Sequence, residues 1–184
     1  MKKILAIPGS TRTQSIHLNL IHAVANLAVG KFDVVIYRQT AELPHFNPDI
    51  DNETPPINVA EFRRQLKEAD GILICTPEYA MGVPGTLKNA LDWTVSSAEF
   101  YHKPTALITA SSQGYKGHAA LMETLKIIGS KITDDTQLII PFVKKKVATD
   151  GTITDTATAD SVKILIDALA SLLRKSHDVE NSLQ

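Results

Sequence analysis

The chain of 184 residues contains a single cysteine, Cys75, so an internal disulfide is excluded. Cys75 closes the apolar run Ile72-Leu73-Ile74-Cys75, which fits a buried thiol in a reducing compartment and not a cross-linked secreted scaffold. Long hydrophobic runs are missing as well. Nothing approaches the roughly 20 apolar residues that span a bilayer, and Ile4-Leu5-Ala6-Ile7 behind Met1-Lys2-Lys3 is too short for a signal peptide. A cytoplasmic location without membrane association is expected. An excess of charge of one sign is also lacking: 19 Lys+Arg against 20 Asp+Glu leave a net charge of −1. Nucleic acid, which requires a cationic surface, is not an expected partner. The histidines, His17, His22, His45, His102, His118 and His177, show no spacing with cysteine or carboxylate that would build a zinc site. No Gly-x-Ser-x-Gly elbow surrounds Ser10 or Ser15, which argues against a serine hydrolase.

What is present is alternation. Short β-branched runs at Lys3 to Ile7, Asp33 to Tyr37, Gly71 to Cys75, Thr105 to Thr109 and Gln137 to Ile140 read as strands. Between and after them, Ser15 to Val29, Ile57 to Ala69, Thr86 to Ser96, His118 to Ile128 and Ser161 to Leu173 carry apolar residues at three- and four-residue intervals. This is the pattern of an α/β domain with a parallel sheet covered on both faces. Right-handed crossovers leave a doubly wound sheet, in strand order 2-1-3-4-5 or the dinucleotide-fold order. One domain over residues 1–175 is expected, with 176–184 as a flexible polar tail. The Pro-rich stretch Leu43 to Pro56 reads as a long loop, functional or mobile.

The loop after the first strand, Pro8-Gly9-Ser10-Thr11-Arg12-Thr13-Gln14-Ser15, leads straight into a helix. Unpaired N–H groups and the positive end of a helix dipole meet at such a place, and hydroxyls with an arginine fork match phosphate oxygens. It lacks the Lys-Ser/Thr ending of a P-loop and two of the three glycines of a dinucleotide fingerprint. A terminal monophosphate is the better match. Alone, the loop reads equally well as Ser15 capping a helix beside a solvated Arg12.

The loop after the third strand, Thr76-Pro77-Glu78-Tyr79-Ala80-Met81-Gly82-Val83-Pro84-Gly85, runs into Thr86-Leu87-Lys88-Asn89-Ala90-Leu91-Asp92-Trp93. Its prolines and glycines hold backbone groups exposed, as recognition of a flat heteroaromatic edge requires. The loop after the fourth strand, Ala110-Ser111-Ser112-Gln113-Gly114, permits the same close approach. Lys144-Lys145-Lys146 reads as a solvated face, with contact to an NADPH phosphate as the lesser alternative.

These stretches resemble the NADPH-dependent FMN reductase family, which includes flavin-dependent quinone, azo-dye and chromate reductases. Gly9, Ser10, Arg12 and Ser15 match its Gly-Ser-x-Arg-x-x-Ser phosphate loop. Thr76 to Trp93 follows its Thr-Pro-Glu-Tyr and Val-Pro-Gly-x-Leu-Lys-Asn-Ala-x-Asp-Trp stretch, and Leu43 to Asp49 is similar to its loop after strand two. His17 stands where the family commonly has Asn, and Ala80-Met81-Gly82 replaces Asn-Tyr-Ser. The resemblance implies a flavodoxin-like three-layer sandwich of order 2-1-3-4-5. It implies FMN held by Ser10, Arg12, Gln14, Ser15, Ile16 and His17 at the phosphate and by Pro77, Glu78, Tyr79, Ala80, Met81 and Gly82 at the ring, with Ser111, Ser112 and Gly114 closing on it. Hydride would pass from NADPH or NADH to FMN and the electrons then to a quinone, free flavin, azo compound or metal oxyanion. No side chain need act as acid or base. A homodimer or homotetramer is implied, with the helix from Thr86 to Ser96, which carries Leu87, Ala90, Leu91 and Trp93, as a candidate interface. The alternatives are a flavodoxin-like electron carrier without NAD(P)H activity, against which the near-neutral charge and Arg12 speak, and a scaffold that has lost the ligand.

Overall fold

The structure, a computed structural model, describes residues 1–182. Five parallel strands form one sheet: β1 (Lys3–Pro8), β2 (Asp33–Ile36), β3 (Gly71–Thr76), β4 (Thr105–Ser111) and β5 (Gln137–Pro141). Their order is β2-β1-β3-β4-β5, so the dinucleotide-fold order does not apply. The helices are α1 (Ile16–Leu27), α2 (Ile57–Glu68), α3 (Gly85–Asp92), α4 (Tyr115–Ile127) and α5 (Thr156–Ser182).

Strand alternation divides the core. Ile4, Ala6, Leu73, Cys75, Ala106, Ile108 and Ala110 point to the face covered by α1 and α5. Leu5, Ile7, Ile72, Ile74 and Leu107 point to the face covered by α2, α3 and α4. Every residue of β3 is buried, as expected of a central parallel strand enclosed on both sides. Cys75 belongs to this core as a free thiol, and burial pushes its pKa up, so thiolate chemistry is unavailable to it.

Several boundaries differ from the sequence reading. β4 extends to Ser111 because Ala110 and Ser111 pair with Ile140 and Pro141 of β5. α3 stops at Asp92 instead of Ser96; beyond it the Thr94 hydroxyl donates to the Leu91 carbonyl at 2.7 Å, and the chain continues as turns. α5 starts at Thr156, where the Asp155 carboxylate accepts the Thr158 N–H at 2.9 Å, a polar start that apolar periodicity cannot detect. α5 also continues to Ser182, so the segment expected as a tail from Ser176 is helical that far; residues 183 and 184 lie outside the described residues.

Leu87, Ala90, Leu91 and Trp93 are all buried within their own chain, so a subunit contact through the segment Thr86 to Ser96 would use its exposed residues, such as Thr86, Lys88 and Val95, instead of these. Trp93 packs edge-on against Phe46 at 5.1 Å and donates its indole N–H to the Pro44 carbonyl at 2.9 Å. The Pro-rich loop is therefore tied down. Asp51, deep within it, pairs with Arg63 of α2 at 2.7 Å and accepts the Ser96 hydroxyl at 2.7 Å.

Candidate functional site

A cleft of about 450 Å³ opens at the carboxyl ends of β1, β3, β4 and β5, where open α/β sheets place their ligands. Its first wall is the β1–α1 loop. The Gly9 N–H donates to the Cys75 carbonyl at 2.8 Å, pinning this loop to the end of β3. Only glycine fits: an added Cβ would lie 2.1 Å from Thr76 Oγ1 and 3.0 Å from Thr76 Cα. Beyond it Ser10 is buried, its hydroxyl accepting the Arg12 N–H at 3.4 Å, while Arg12 is exposed at the rim.

Ser15 is the N-cap of α1, with extended backbone (φ −116°, ψ 131°) and a side-chain oxygen that accepts the His17 N–H at 3.3 Å. Such a cap stabilises a helix by about 1 kcal/mol. His17 is buried beside it, Nδ1 3.1 Å from Ser15 Oγ and Nε2 2.7 Å from the Ala110 carbonyl oxygen. Burial lowers the His17 pKa; the bond to Ala110 acts in the opposite direction and is the weaker influence. The start of α1 thus combines a helix dipole, hydroxyls and an arginine at one point.

The second wall is made by backbone. Tyr79 and Gly82 exchange N–H···O bonds of 3.1 and 2.9 Å around Ala80 (φ 49°) and Met81 (φ 59°). Two successive positive φ values define a type I′ hairpin turn, whose usual sequence is Asn-Gly. Ala and Met there cost about 1–2 kcal/mol each, and strain of this kind concentrates at ligand sites. The turn is held in place by Glu78, whose carboxylate accepts the Gly117 N–H at 2.6 Å. Gly117 lies in the first turn of α4, whose N-cap Gly114 (φ 96°) has no side chain to offer, so Glu78 caps that helix from another loop. A Cβ on Gly117 would lie 2.9 Å from the Gly82 carbonyl oxygen, so the turn and α4 touch backbone to backbone.

Ser111 and Ser112 form the third side, and the turn after β5 forms the fourth. There Phe142 sits at φ 54°, its N–H donating to the Ser112 carbonyl at 3.2 Å, with Val143, Lys144 and Lys145 following along the cleft. Tyr79 and Phe142 are both more than half exposed and line the same opening.

Ten residues named from the sequence line this cleft: Ser10, Arg12, Ser15, Ile16, His17, Pro77, Glu78, Tyr79, Ser111 and Ser112. Gln14, Ala80, Met81, Gly82 and Gly114 do not line it; they shape the loops that do. No residue of Leu43 to Asp49 lines it either. Ala110, Phe142, Val143, Lys144 and Lys145 line it without having been assigned to it; Lys144 and Lys145 are exposed, as a solvated face requires, and border the cleft as well. The signal was available in Pro141, which ends a strand next to β4, so that the residues after it emerge on the ligand side of the sheet. Among the described residues no cluster of His, Cys, Asp or Glu could hold a metal ion, and no helix is long and apolar enough to cross a membrane.

Comparison with known proteins gives consistent matches. A family model described as NADPH-dependent FMN reductase matches residues 2–144. A 2-hydroxy-1,4-benzoquinone reductase from Burkholderia sp is 31% identical over 179 residues, covering 94% of this chain and 96% of that protein. An NADH-dependent flavin reductase subunit 2 from Lactobacillus johnsonii is 31% identical over 130 residues, 68% of each chain. Among solved structures, the flavoenzyme NAD(P)H:(acceptor) oxidoreductase FerB from Paracoccus denitrificans superposes with a TM-score of 0.84 at 27% identity, covering 95% of this chain and 98% of its own.

Proposed function

We propose that this chain, which belongs to the NADPH-dependent FMN reductase family, is a quinone reductase that binds FMN in the cleft above β1, β3 and β4 and uses NADPH or NADH as reductant. One observation carries the placement: the phosphate-type loop at the start of α1 and the exposed-backbone loop after β3 open into a single cleft. The donor set fits the cofactor. Buried Ser10 and Ser15, rim Arg12 and the α1 N-terminus suit a phosphomonoester, and the Tyr79–Gly82 turn suits a planar ring edge.

On this reading Ser10, Arg12, Gln14, Ser15, Ile16 and His17 surround the phosphate. Pro77, Glu78, Tyr79, Ala80, Met81 and Gly82 border the ring, with Ser111, Ser112 and Gly114 on its far side. Bound FMN supplies the two-electron chemistry, accepting hydride from the nicotinamide and releasing electrons to the acceptor. The chain's own residues orient and shield. Tyr79 and Phe142 flank the opening, while Ala80 and Met81, whose amides are not spent in the Tyr79–Gly82 exchange, offer the turn's backbone donors to a heteroaromatic edge. No acid or base is required of the protein.

The quinone assignment follows the relatives' substrates; free flavin, azo compounds and metal oxyanions are further acceptors of the same chemistry. The protein is assigned to the cytoplasm. A homodimer or homotetramer is expected, and because the α3 core residues are already buried, its interface would draw on exposed side chains such as Val95 and Tyr101. Light scattering measures this. For the activity, the purified protein is tested for flavin absorbance and for NADPH and NADH oxidation with benzoquinone. Flavin binding with quinone-dependent turnover is the expected result, and failure to bind added FMN would remove the proposal.

A further inference from the structure

We propose that His17 couples phosphate binding at the start of α1 to the uptake of a proton, by releasing the Ser15 hydroxyl to the ligand. The proposal rests on the placement of the FMN phosphate at this loop. The Ala110 carbonyl can only accept, so His17 Nε2, 2.7 Å away, carries a hydrogen. In the neutral ring Nδ1 is then an acceptor, and its partner at 3.1 Å is Ser15 Oγ, whose single hydrogen it takes. Ser15 Oγ meanwhile accepts the His17 N–H at 3.3 Å. The cap that lines the cleft therefore has its one hydroxyl hydrogen turned inward.

For Ser15 to donate to a phosphate oxygen, this hydrogen must turn outward, which strands Nδ1 as a buried acceptor. A proton from solvent resolves the conflict. Protonated at Nδ1, His17 donates from both nitrogens, to Ser15 Oγ and to the Ala110 carbonyl, and Ser15 O–H points to the phosphate. No bond other than N–H and O–H changes, and one solvent proton is taken up.

The surroundings explain why the ligand decides. Arg12 from the β1–α1 loop and Lys144 and Lys145 from the turn after β5 line the same cleft, and Lys146 and Asp150 belong to the segment whose Thr149 carbonyl accepts from Asn19 of α1. Glu78, whose carboxylate also accepts the Gly117 N–H, and Tyr79 are the other titratable groups there. From β3 the nearest titratable residue is the inert thiol of Cys75, β4 presents Ala110 and Ser111, and α5 packs with apolar Val162, Leu165 and Ile166. Without an anion, burial disfavours an imidazolium more strongly than the bond to Ala110 favours it. A phosphate dianion reverses this balance.

The test is calorimetry of FMN binding to the apoprotein in buffers of different ionisation enthalpy, between about pH 6 and 8, on wild type and His17→Asn. The phosphate's own second ionisation, near pH 6, is common to both and cancels in the difference. Wild type is expected to take up as much as about one proton more per FMN than His17→Asn, with FMN affinity rising up to about tenfold per pH unit of acidification relative to the variant. A second measurement needs no variant: nitrogen NMR of wild-type His17 should show Nδ1 gaining a hydrogen with FMN and not with riboflavin, which lacks the phosphate. Equal proton counts in the two proteins, or an Nδ1 that stays bare with FMN, overturns the proposal. Arg12→Ala separates the two failures. Undiminished FMN affinity there removes the phosphate placement and this proposal with it, whereas weakened affinity with equal proton counts overturns the coupling alone.

Discussion

The β1–α1 loop and the β3–α3 loop close one cleft by opposite means. The first is organised by side chains: Ser10 and Ser15 hydroxyls, the His17 ring and the Arg12 fork at a helix start capped by its own preceding residue. The second is organised by backbone, with Ala80 and Met81 held at positive φ and a carboxylate reaching to a different helix. Side-chain groups suit a compact, highly charged ligand end, and fixed backbone amides suit a flat, weakly polar one. The two ends of a flavin mononucleotide differ in this way.

Substitutions can break or sharpen the contrast. The largest effect is expected where the two loops meet. Gly9→Ala would drive a methyl group into Thr76, both side chain and backbone. It should cost about 3 kcal/mol by overpacking and weaken FMN binding as well, read from thermal denaturation and flavin fluorescence titration. Arg12→Ala comes next. It should leave stability unchanged, since Arg12 is exposed, but raise the FMN Kd about 10–100-fold, the value of a charged hydrogen bond. Riboflavin binding should not respond.

Glu78→Ala addresses the second loop. The Gly117 N–H would lose its partner, with an expected cost of about 1–2 kcal/mol in urea denaturation, comparable to removing any N-cap. Glu78→Gln should recover much of this. The smallest effect is a gain. Ala80→Asn with Met81→Gly installs the residues that a type I′ turn favours and should stabilise by about 1 kcal/mol, the relieved strain less the added flexibility of glycine in the unfolded chain. An unchanged or lower midpoint would mean that the turn is not strained.

The contrast also governs how legible the site was. Ser10, Arg12 and Ser15, three residues of one short loop, could be picked out as a group from neighbouring letters, and they line the cleft together, although the loop alone did not separate a phosphate site from a plain helix cap. The β3 loop was legible only as punctuation: Pro77, Gly82 and Pro84 marked an irregular path without revealing that Ala80 and Met81 would bear the left-handed turn. Glu78 was named for its place in the loop, yet its bond to Gly117 crosses 39 positions, and no local pattern records such a bond. Trp93 was assigned to packing or a subunit contact, and burial in its own chain settles which.

Hydrophobic periodicity, set by the 2.0-residue repeat of strands and the 3.6-residue repeat of helices, was enough to determine five strands and five helices in alternation. With right-handed crossovers it narrowed the sheet to two strand orders. Periodicity left the choice of β2-β1-β3-β4-β5 open, though the family resemblance implied it; the arrival of Phe142 to Lys145 at the fourth side of the cleft and the wedging of His17 between Ser15 and Ala110 were decided by tertiary structure alone. Contacts between residues as distant as His17 and Ala110 depend on how the strands are ordered and how far each extends, and that information belongs to no single segment of the chain.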